Sequence, residues 1–388
     1  MRVGVFLPNW VGDVVMATPT LRALRELAGN GALVGVMRPY VADVLAGAEW
    51  FDDTILYSKK SKHEDERPSV AAGLQWPAVK QRLRDAKLDA IVLLTNSLRT
   101  AWMAYSSGAP ERIGLAENFR SALLTTRVYL PRRRGRSIRF PPVIGYLQIA
   151  QAAGAAPQPP VMELSTTAAD ERAADAAWAR LGLAPDAVTA VINTGGAFGA
   201  AKDWPAIRFA QLAVRLATQR GLSVIINCGP SERDAARWIA ANARHPRVVS
   251  LADEPELPLG LTKAIIRRAR LLVTTDSGPR FFGVAFGVPT VTLFGATGVE
   301  SNLTYAPCET CVSLGLECQP CMARTCPLGH HRCMQDLTVN RVWAAIQERL
   351  GASDGRDTTR RGPQPFDLSP PRPRRRLRKR LPQSGLVT

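Results

Sequence analysis

Residues 3–19, VGVFLPNWVGDVVMATP, join an apolar run to a stretch with helical character, and an acid lies close to the junction. The run VGVFLP is typical of a strand that is buried on both faces of a parallel sheet. Asp13 then lies just beyond the carboxyl end of that strand, and Gly12 is expected to let the backbone turn sharply there. Two interpretations of Asp13 stay open: it caps the following helix, as Asp often does, or it acts on a ligand.

Apolar runs and helical patterns alternate along most of the chain, which predicts the α/β class. The apolar runs fall at 3–8, 32–37, 90–94, 190–193, 223–227, 248–251, 271–275 and 291–295. A proline-rich break at 154–164 separates the first three runs from the rest, so we expect two Rossmann-like, doubly wound domains. Ligands of such sheets bind beyond the carboxyl ends of the strands, here in a central cleft between the domains. The predicted boundaries are 1–160 for the first domain, 161–335 for the second, 336–350 for a C-terminal helix and 351–388 for a basic disordered tail.

Length and composition limit the class of protein. The chain has 388 residues, of which 46% are hydrophobic, and this is enough for two cores. No apolar run approaches the roughly 18 residues that a membrane-spanning helix needs. The first residues also lack the pattern of a secretory signal. These features favour a cytoplasmic protein.

Positive charge is concentrated in two places of a chain whose formal net charge is +17. The tail from residue 351 holds ten Arg or Lys against three Asp, which is typical of a solvated, disordered extension. Binding of the tail to nucleic acid or to an anionic membrane surface is the alternative. A second basic stretch, 127–140, lies inside the folded region, where a loop would hold its charge in place.

Two loops of the second domain have the composition of anion-binding sites. NTGGAFGAAKDWP (193–205) is a glycine-rich turn ahead of a helix, and Lys202 adds a positive charge to the backbone amides. TTDSGPRFFG (274–283) combines a strand end with the first proline of a helix, so free amides of the helix start should point into the cleft. Two such sites and a lysine suit a diphosphate. The residues concerned are Thr194, Gly195, Lys202, Asp276, Ser277, Gly278 and Pro279.

Glu232 lies in CGPSERDAA (228–236), which follows another predicted strand. An acid at this position accepts hydrogen bonds from ribose hydroxyls in other α/β folds. A glutamate in the first turn of a helix is equally well explained by the helix dipole.

Six of the seven cysteines fall between Cys308 and Cys333. Two CxxC pairs, followed by Cys326, His330, His331 and Cys333, have spacings that a structural zinc site uses. The loop holds more potential ligands than one tetrahedral site needs. Structural zinc, reduced thiols and a local disulfide therefore stay open as alternatives.

Taken in order, these elements resemble the ADP-heptose:lipopolysaccharide heptosyltransferases of glycosyltransferase family 9, which have the GT-B fold. The matching pieces are VGDVVMATPTLRALR near the start, FGAAKDWP in the middle and TTDSGPRFFGVAFGVPTVTLFGAT late in the chain. CQPCMARTCPLGHHRCM (318–334) looks like the stretch seen in second-heptose transferases of the family. The resemblance covers about residues 1–350 and leaves the tail outside.

The resemblance implies inverting transfer of a heptose from ADP-heptose to the inner core of lipopolysaccharide, with no cofactor and no catalytic metal. Asp13 would be the general base that takes the proton of the acceptor hydroxyl. A helix start would lower its pKa, whereas burial in a closed cleft would raise it. Lys202 would bind the donor diphosphate, Glu232 the ribose, and the amides of Ser277 and Gly278 the phosphate oxygens.

One departure from the family pattern lies at Phe281, where family members commonly carry histidine. Arg280 is expected to supply the missing positive charge, or else the donor sugar differs. In GT-B enzymes the first domain takes the acceptor, so Arg132, Arg133, Arg134 and Arg136 become candidate contacts to the acceptor or to an anionic inner-membrane surface. A solvated loop is the alternative for these arginines.

Two rival functions remain at this point. Another GT-B nucleotide-sugar transferase or an epimerase would share the donor loops. A basic nucleic-acid-binding protein would explain the charge, but only 6% of residues are aromatic and no nucleic-acid reader motif is present. We therefore expect no specific nucleic-acid partner, and we expect an enzyme that is cytoplasmic or peripheral at the cytoplasmic face of the inner membrane.

Overall fold

Two six-stranded parallel sheets, one in each half of the chain, organise the protein. The computed structural model describes residues 1–58, 74–130, 132–133, 136–137, 140–196 and 198–354. The first sheet has the order β3-β2-β1-β4-β5-β6 and the second the order β11-β10-β9-β12-β13-β14. The strands are β1 (Val3–Phe6), β2 (Leu33–Met37), β3 (Asp53–Leu56), β4 (Ala90–Leu93), β5 (Glu111–Leu115), β6 (Thr126–Val128), the antiparallel pair β7 (Arg132–Arg133) and β8 (Arg136–Ser137), β9 (Thr189–Asn193), β10 (Ser223–Asn227), β11 (Val248–Ser250), β12 (Leu271–Thr275), β13 (Thr290–Phe294) and β14 (Glu309–Ser313).

Helices cover the sheets and connect successive strands. In the first half they are α1 (Val11–Met16), α2 (Thr18–Ala28), α3 (Pro39–Leu45), α4 (Trp76–Asp85), α5 (Leu98–Ser106) and α6 (Pro142–Ala152). In the second half they are α7 (Ala168–Arg180), α8 (Ala206–Gln219), α9 (Arg233–Ala243), α10 (Leu259–Arg267), α11 (Gly278–Ala285), α12 (Arg332–Gln335) and α13 (Val339–Asp354). Among the described residues, no helix combines the length and the apolarity needed to cross a membrane.

The predicted α/β class is confirmed, but four strands of the two parallel sheets escape a search for apolar runs. β3, β6 and β14 are edge strands and β5 is the neighbour of one. All four include partly or fully exposed positions and charged residues such as Asp53, Glu111 and Arg127. A strand that is covered on only one side does not need a continuous apolar run, so its sequence is less distinctive.

The central strands β1 and β9 show why the predicted runs were reliable. All their residues are buried. In β1, Val3 and Val5 face one apolar cluster and Phe6 faces another on the opposite side of the sheet. The order of the strands reverses at β1 and at β9, and crevices form at these reversal points beyond the carboxyl ends. Asp13, Thr194 and Asp276 follow β1, β9 and β12 respectively, and so all lie at such edges.

A buried lysine connects the two halves. Lys263 on α10 is fully buried, and its Nζ donates hydrogen bonds to the carbonyl oxygens of Ala46 (2.9 Å) and Ser165 (3.1 Å). The same nitrogen lies 3.5 Å from a carboxylate oxygen of Asp170. The chain that links α6 to α7 is thus fixed to α10 and to the end of α3. A second contact between the halves is made by α1 against α11.

Candidate active site

Asp13 lies in the first turn of α1, two residues after the helix begins. The residue that caps this helix is Trp10, and no side chain accepts a hydrogen bond from the helix start. Asp13 is therefore not the N-cap, and that interpretation is wrong. Its carboxyl group is half-buried, and its pKa is raised to about 6, first by burial and then by the charge of Asp276. Burial outweighs the helix start, so the acid titrates close to neutral pH.

Glycines permit the close approach of α1 to α11. A Cβ atom on Gly12 would lie 2.6 Å from two ring carbons of Phe281, and one on Gly278 would lie 3.0 Å from Cγ1 of Val11. The expectation of a sharp turn at Gly12 is wrong, because this residue lies inside α1. Glycine is needed there for packing. The contact brings the helix of Asp13 against the start of the helix that follows β12.

Lys202 and Asp276 form an ion pair at the edge of the second sheet. Lys202 Nζ lies 2.9 Å from Asp276 Oδ2 and 2.6 Å from the carbonyl oxygen of the same residue. It also lies 4.5 Å from the ring centroid of Phe198, a cation–π distance. Burial raises the pKa of Asp276, but the charges of Arg280 and Lys202 outweigh burial and hold it below its usual value. The aspartate is thus an anion that fixes the position of the lysine.

Arg280 does not face the cleft. Its side chain is fully buried, with Nε 2.5 Å from Glu309 Oε1, Nη1 2.9 Å from Asp276 Oδ1 and Nη2 2.8 Å from the carbonyl oxygen of Asn302. The expectation that Arg280 binds the donor and replaces the charge of the family histidine is therefore wrong. Its charge is used inside the second half, where two carboxylates neutralise it.

The start of α11 meets the glycine-rich loop after β9. Ser277 is the N-cap residue of α11, but its side chain accepts no hydrogen bond from the helix, and Pro279 follows in the first turn. Asn193 Nδ2 instead donates to Ser277 Oγ (3.1 Å) and to the carbonyl oxygen of Gly195 (3.0 Å). A Cβ atom on Gly196 would lie 2.7 Å from the Cβ atom of Ser277. The two predicted anion-binding loops therefore form one surface.

Glu232 belongs to the same surface. Its Oε2 accepts a hydrogen bond from the backbone amide of Gly229 (2.9 Å), and its Oε1 lies 2.7 Å from where a Cβ atom of Gly195 would be. Glu232 is the N-cap residue of α9, and its carboxylate lies over the loop that begins with the buried Thr194. The absence of a side chain at Gly195 leaves room for it.

The arrangement can be compared with known proteins. The profile of glycosyltransferase family 9 (heptosyltransferase) matches residues 76–332, more than half of the chain. The chain belongs to glycosyltransferase family 9. Lipooligosaccharide heptosyltransferase 2 of Campylobacter jejuni is 30% identical over 160 residues, 40% of this chain and 50% of the relative. The chain thus spans about half the length of that relative.

Longer matches agree with this family 9 membership. Lipopolysaccharide heptosyltransferase 1 of Pseudomonas aeruginosa is 27% identical over 342 residues, which cover 84% of this chain and 87% of the relative. The solved ADP-heptose lipopolysaccharide heptosyltransferase II of Escherichia coli superposes with a TM-score of 0.72 at 20% identity, covering 92% of this chain and 100% of that one. The predicted GT-B fold is confirmed by this likeness.

The amino-acid sequence of this family 9 protein did not point to Tyr146 as a neighbour of Asp13. Burial raises the pKa of the Tyr146 hydroxyl well above its usual value, and the charge of Asp13 raises it further. Helix α6, which carries the tyrosine, packs against α1. A tyrosine in an apolar helical pattern looks like a core residue, so no local signal marks it. Phe198, Thr297 and Glu309, which contact Lys202, Asp276 and Arg280 respectively, lie outside helices and were also missed, the last two because their contacts join residues far apart in the chain.

Six of the seven cysteines of the family 9 protein separate into two groups, and Cys228 lies apart from both. All seven lie in the described ranges and are free thiols, so the local disulfide is not formed. Cys308 and Cys311 belong to the region of β14. The other four of the loop line one cavity with His330 and His331. Burial raises the pKa of the Cys333 thiol above its usual value.

Two predictions fall on parts of the chain whose side chains the structure does not describe. These are the arginine contacts at Arg132, Arg133, Arg134 and Arg136 and the basic tail predicted for 351–388. The predicted start of the tail is wrong, because α13 continues to Asp354.

Proposed function

We propose that this family 9 protein is an inverting heptosyltransferase that moves a heptose from ADP-heptose to the inner core of lipopolysaccharide. The relatives described above carry heptosyltransferase names. Residues 1–160 would form the acceptor domain and residues 161–335 the donor domain. Donor and acceptor would meet where α1 packs against α11.

The observation that carries the proposal is the position of Asp13, a half-buried acid with a pKa of about 6 that adjoins the start of α11. In the proposed step, the Asp13 carboxylate takes the proton of the acceptor hydroxyl. The acceptor oxygen forms a bond to the anomeric carbon, and the bond from that carbon to the phosphate oxygen of ADP breaks. The electron pair leaves with ADP, and the attack from the opposite side inverts the anomeric centre.

The second half supplies groups that stabilise this departing charge. The backbone amides at the start of α11 are not capped by a side chain, and Lys202 is fixed 2.9 Å from Asp276. Positive groups that are already in place lower the energy of a transition state in which ADP gains negative charge. Glu232, which lies over Gly195, would bind the ribose hydroxyls of the donor.

The test combines a donor panel with a variant. Purified protein is offered ADP- and UDP-sugars with a lipopolysaccharide-core acceptor, and products are detected by mass. We expect transfer from ADP-heptose and thermal stabilisation by ADP rather than by UDP. Asp13→Asn should bind ADP as before but lose about 10²- to 10⁴-fold in turnover.

The matched control is Asp186→Asn, which changes an exposed acid in the turn between α7 and β9. This variant should keep its turnover. Unchanged turnover in Asp13→Asn would remove the base role, and transfer from UDP-sugars alone would favour another GT-B transferase.

An apolar rim supports contact of the acceptor domain with an anionic membrane surface. Four adjacent strands, β1, β4, β5 and β6, are each followed by an exposed large apolar residue. These residues are Trp10, Leu98, Phe119 and Tyr129, which are 53%, 52%, 101% and 67% exposed. All four follow carboxyl ends, so they lie on the same edge as Asp13, with Arg99 and Arg127 exposed beside them. Aromatic side chains next to arginines are favoured at the surface of an anionic bilayer, where a lipid-anchored acceptor would be found.

A further inference from the structure

Four of the seven cysteines surround one cavity near the donor loop. Cys318, Cys321, Cys326 and Cys333 line it, together with His330 and His331. They lie on the segment that joins β14 to α12, with Cys333 in α12 itself. The chain also offers an internal comparison, because Cys228, Cys308 and Cys311 do not line this cavity.

The backbone around Cys326 is folded toward its sulfur. The amide of His331 lies 3.3 Å from Cys326 Sγ, and the amide of Gly329 donates to the carbonyl oxygen of Cys326 at 3.2 Å. Gly329 has a φ of 70° and His331 a φ of 47°, so the chain turns back tightly after Cys326. Backbone N–H groups that point at a sulfur stabilise the thiolate form, which is the form that binds metals.

The histidines of the cavity have other partners. His331 Nε2 lies 3.1 Å from the carbonyl oxygen of Ala201, and His330 Nδ1 accepts a hydrogen bond from the amide of Arg332 at 3.0 Å. Each histidine thus has one ring nitrogen engaged, and the four thiols by themselves supply the four ligands of one tetrahedral site. Four sulfur ligands are a common set for structural zinc.

We propose that Cys318, Cys321, Cys326 and Cys333 bind one structural Zn²⁺ ion. In the part of the chain that the structure describes, no three Cys, His, Asp or Glu side chains already stand in an arrangement that could hold a metal ion. The thiols would therefore have to turn inward, which requires a change of side-chain rotamer at free cysteines that line the same space. Each thiol would lose one proton on binding, so occupancy should fall at acid pH.

The segment that carries the four cysteines, Cys318 to Cys333, would position the loop that carries Lys202. The amide of Ala201 donates to the carbonyl oxygen of Arg324 (3.0 Å), and a Cβ atom on Gly199 would lie 2.6 Å from the same oxygen. With the His331 contact, the segment between Cys321 and Cys333 thus supports both sides of the turn Ala200–Lys202. This consequence rests on the proposed function, whereas the metal site itself does not.

Metal analysis of the full chain, purified without chelator, tests the site directly. We expect one zinc per chain, and a loss of that zinc in Cys321→Ser, whose side chain is exposed and whose replacement disturbs packing least. Cys308→Ser and Cys228→Ser are the matched controls and should keep the metal. Replacement of zinc by Co²⁺ should give the thiolate-to-cobalt absorption band in the controls and a weaker band in Cys321→Ser.

A wild-type measurement avoids any dependence on variants that fail to fold. A chelator should lower the unfolding temperature of the wild-type chain, and added Zn²⁺ should restore it. The chelator should also raise the KM for the ADP-sugar more than the KM for the acceptor. Wild-type chain without zinc, or equal zinc in Cys321→Ser and in the controls, would overturn the site. If zinc is bound but the chelator leaves the KM for the ADP-sugar unchanged, only the proposed positioning of the Lys202 loop is overturned. A lack of transferase activity would leave the metal measurements unaffected.

Discussion

Asp13 carries a charge that its surroundings disfavour. Burial and the nearby anion Asp276 both oppose its ionisation, and the pKa rises to about 6. A base with such a pKa is ionised at neutral pH and still accepts a proton readily, which is the compromise that general-base catalysis requires. Turnover should therefore fall as the pH drops through about 6.

The same shift predicts a stability effect of Asp13→Asn. Between the usual pKa of 3.8 and about 6, the folded chain binds a proton at Asp13 more tightly than the unfolded chain does. The wild-type free energy of unfolding therefore falls as the pH rises across this range. Asn has no charge to bury, so the variant should gain up to about 3 kcal/mol relative to wild type between pH 4 and pH 7. Urea unfolding at both pH values measures the gain, and an equal difference at the two would contradict the shift.

The contact of α1 with α11 depends on a missing side chain. A Cβ atom at Gly12 would meet the Phe281 ring at 2.6 Å, so Gly12→Ala must displace either that ring or the two helices. We expect a loss of about 1–3 kcal/mol in the free energy of unfolding, as is usual for overpacking, together with reduced turnover. A smaller side chain at position 281 should recover part of the lost stability and part of the lost turnover, because the two changes act on the same contact.

A double-mutant cycle with Phe281→Leu measures this recovery by urea unfolding. Gly145→Ala in α6 is the matched control: its Cβ atom would lie 3.5 Å from Phe140, an ordinary contact. This control should be neutral or slightly stabilising, since alanine favours helix more than glycine does. Strictly additive effects of Gly12→Ala and Phe281→Leu would show that the two residues do not share a contact.

The apolar rim is a property of the assembled first sheet, and vesicle binding tests it. Changing Phe119 and Tyr129 together to Ser should weaken sedimentation with vesicles of phosphatidylglycerol and phosphatidylcholine by about tenfold or more, because each exposed side chain loses apolar burial. Changing Val188 and Trp238 together to Ser removes two exposed apolar side chains from the second half and is the control. Salt screens the attraction between basic segments and the vesicles but does not remove apolar burial. The difference in binding between the two double variants should therefore persist at high ionic strength. Equal binding by both double variants would rule out the rim as the membrane contact.

The amino-acid sequence by itself determined the class of fold and the approximate places of the site. The strands β1, β9 and β12 are fully buried and mostly apolar because helices cover both sides of the sheet. Parallel strands place the residues after them at one edge, so Asp13, Lys202 and Asp276 could be chosen from their positions alone.

The tertiary structure decided the partners and the charge state of those residues. Only packing shows that Arg280 forms ion pairs with Glu309 and Asp276 and that the lack of a side chain at Gly12 leaves room for Phe281. Only packing, too, brings Tyr146 close enough for the charge of Asp13 to raise its pKa. The outcome of the competition at Asp13 was likewise set by burial, which depends on residues far apart in the chain. Local sequence fixes which groups lie at the edge of a sheet, whereas their charge state and partners depend on surroundings that exist only after the halves have come together.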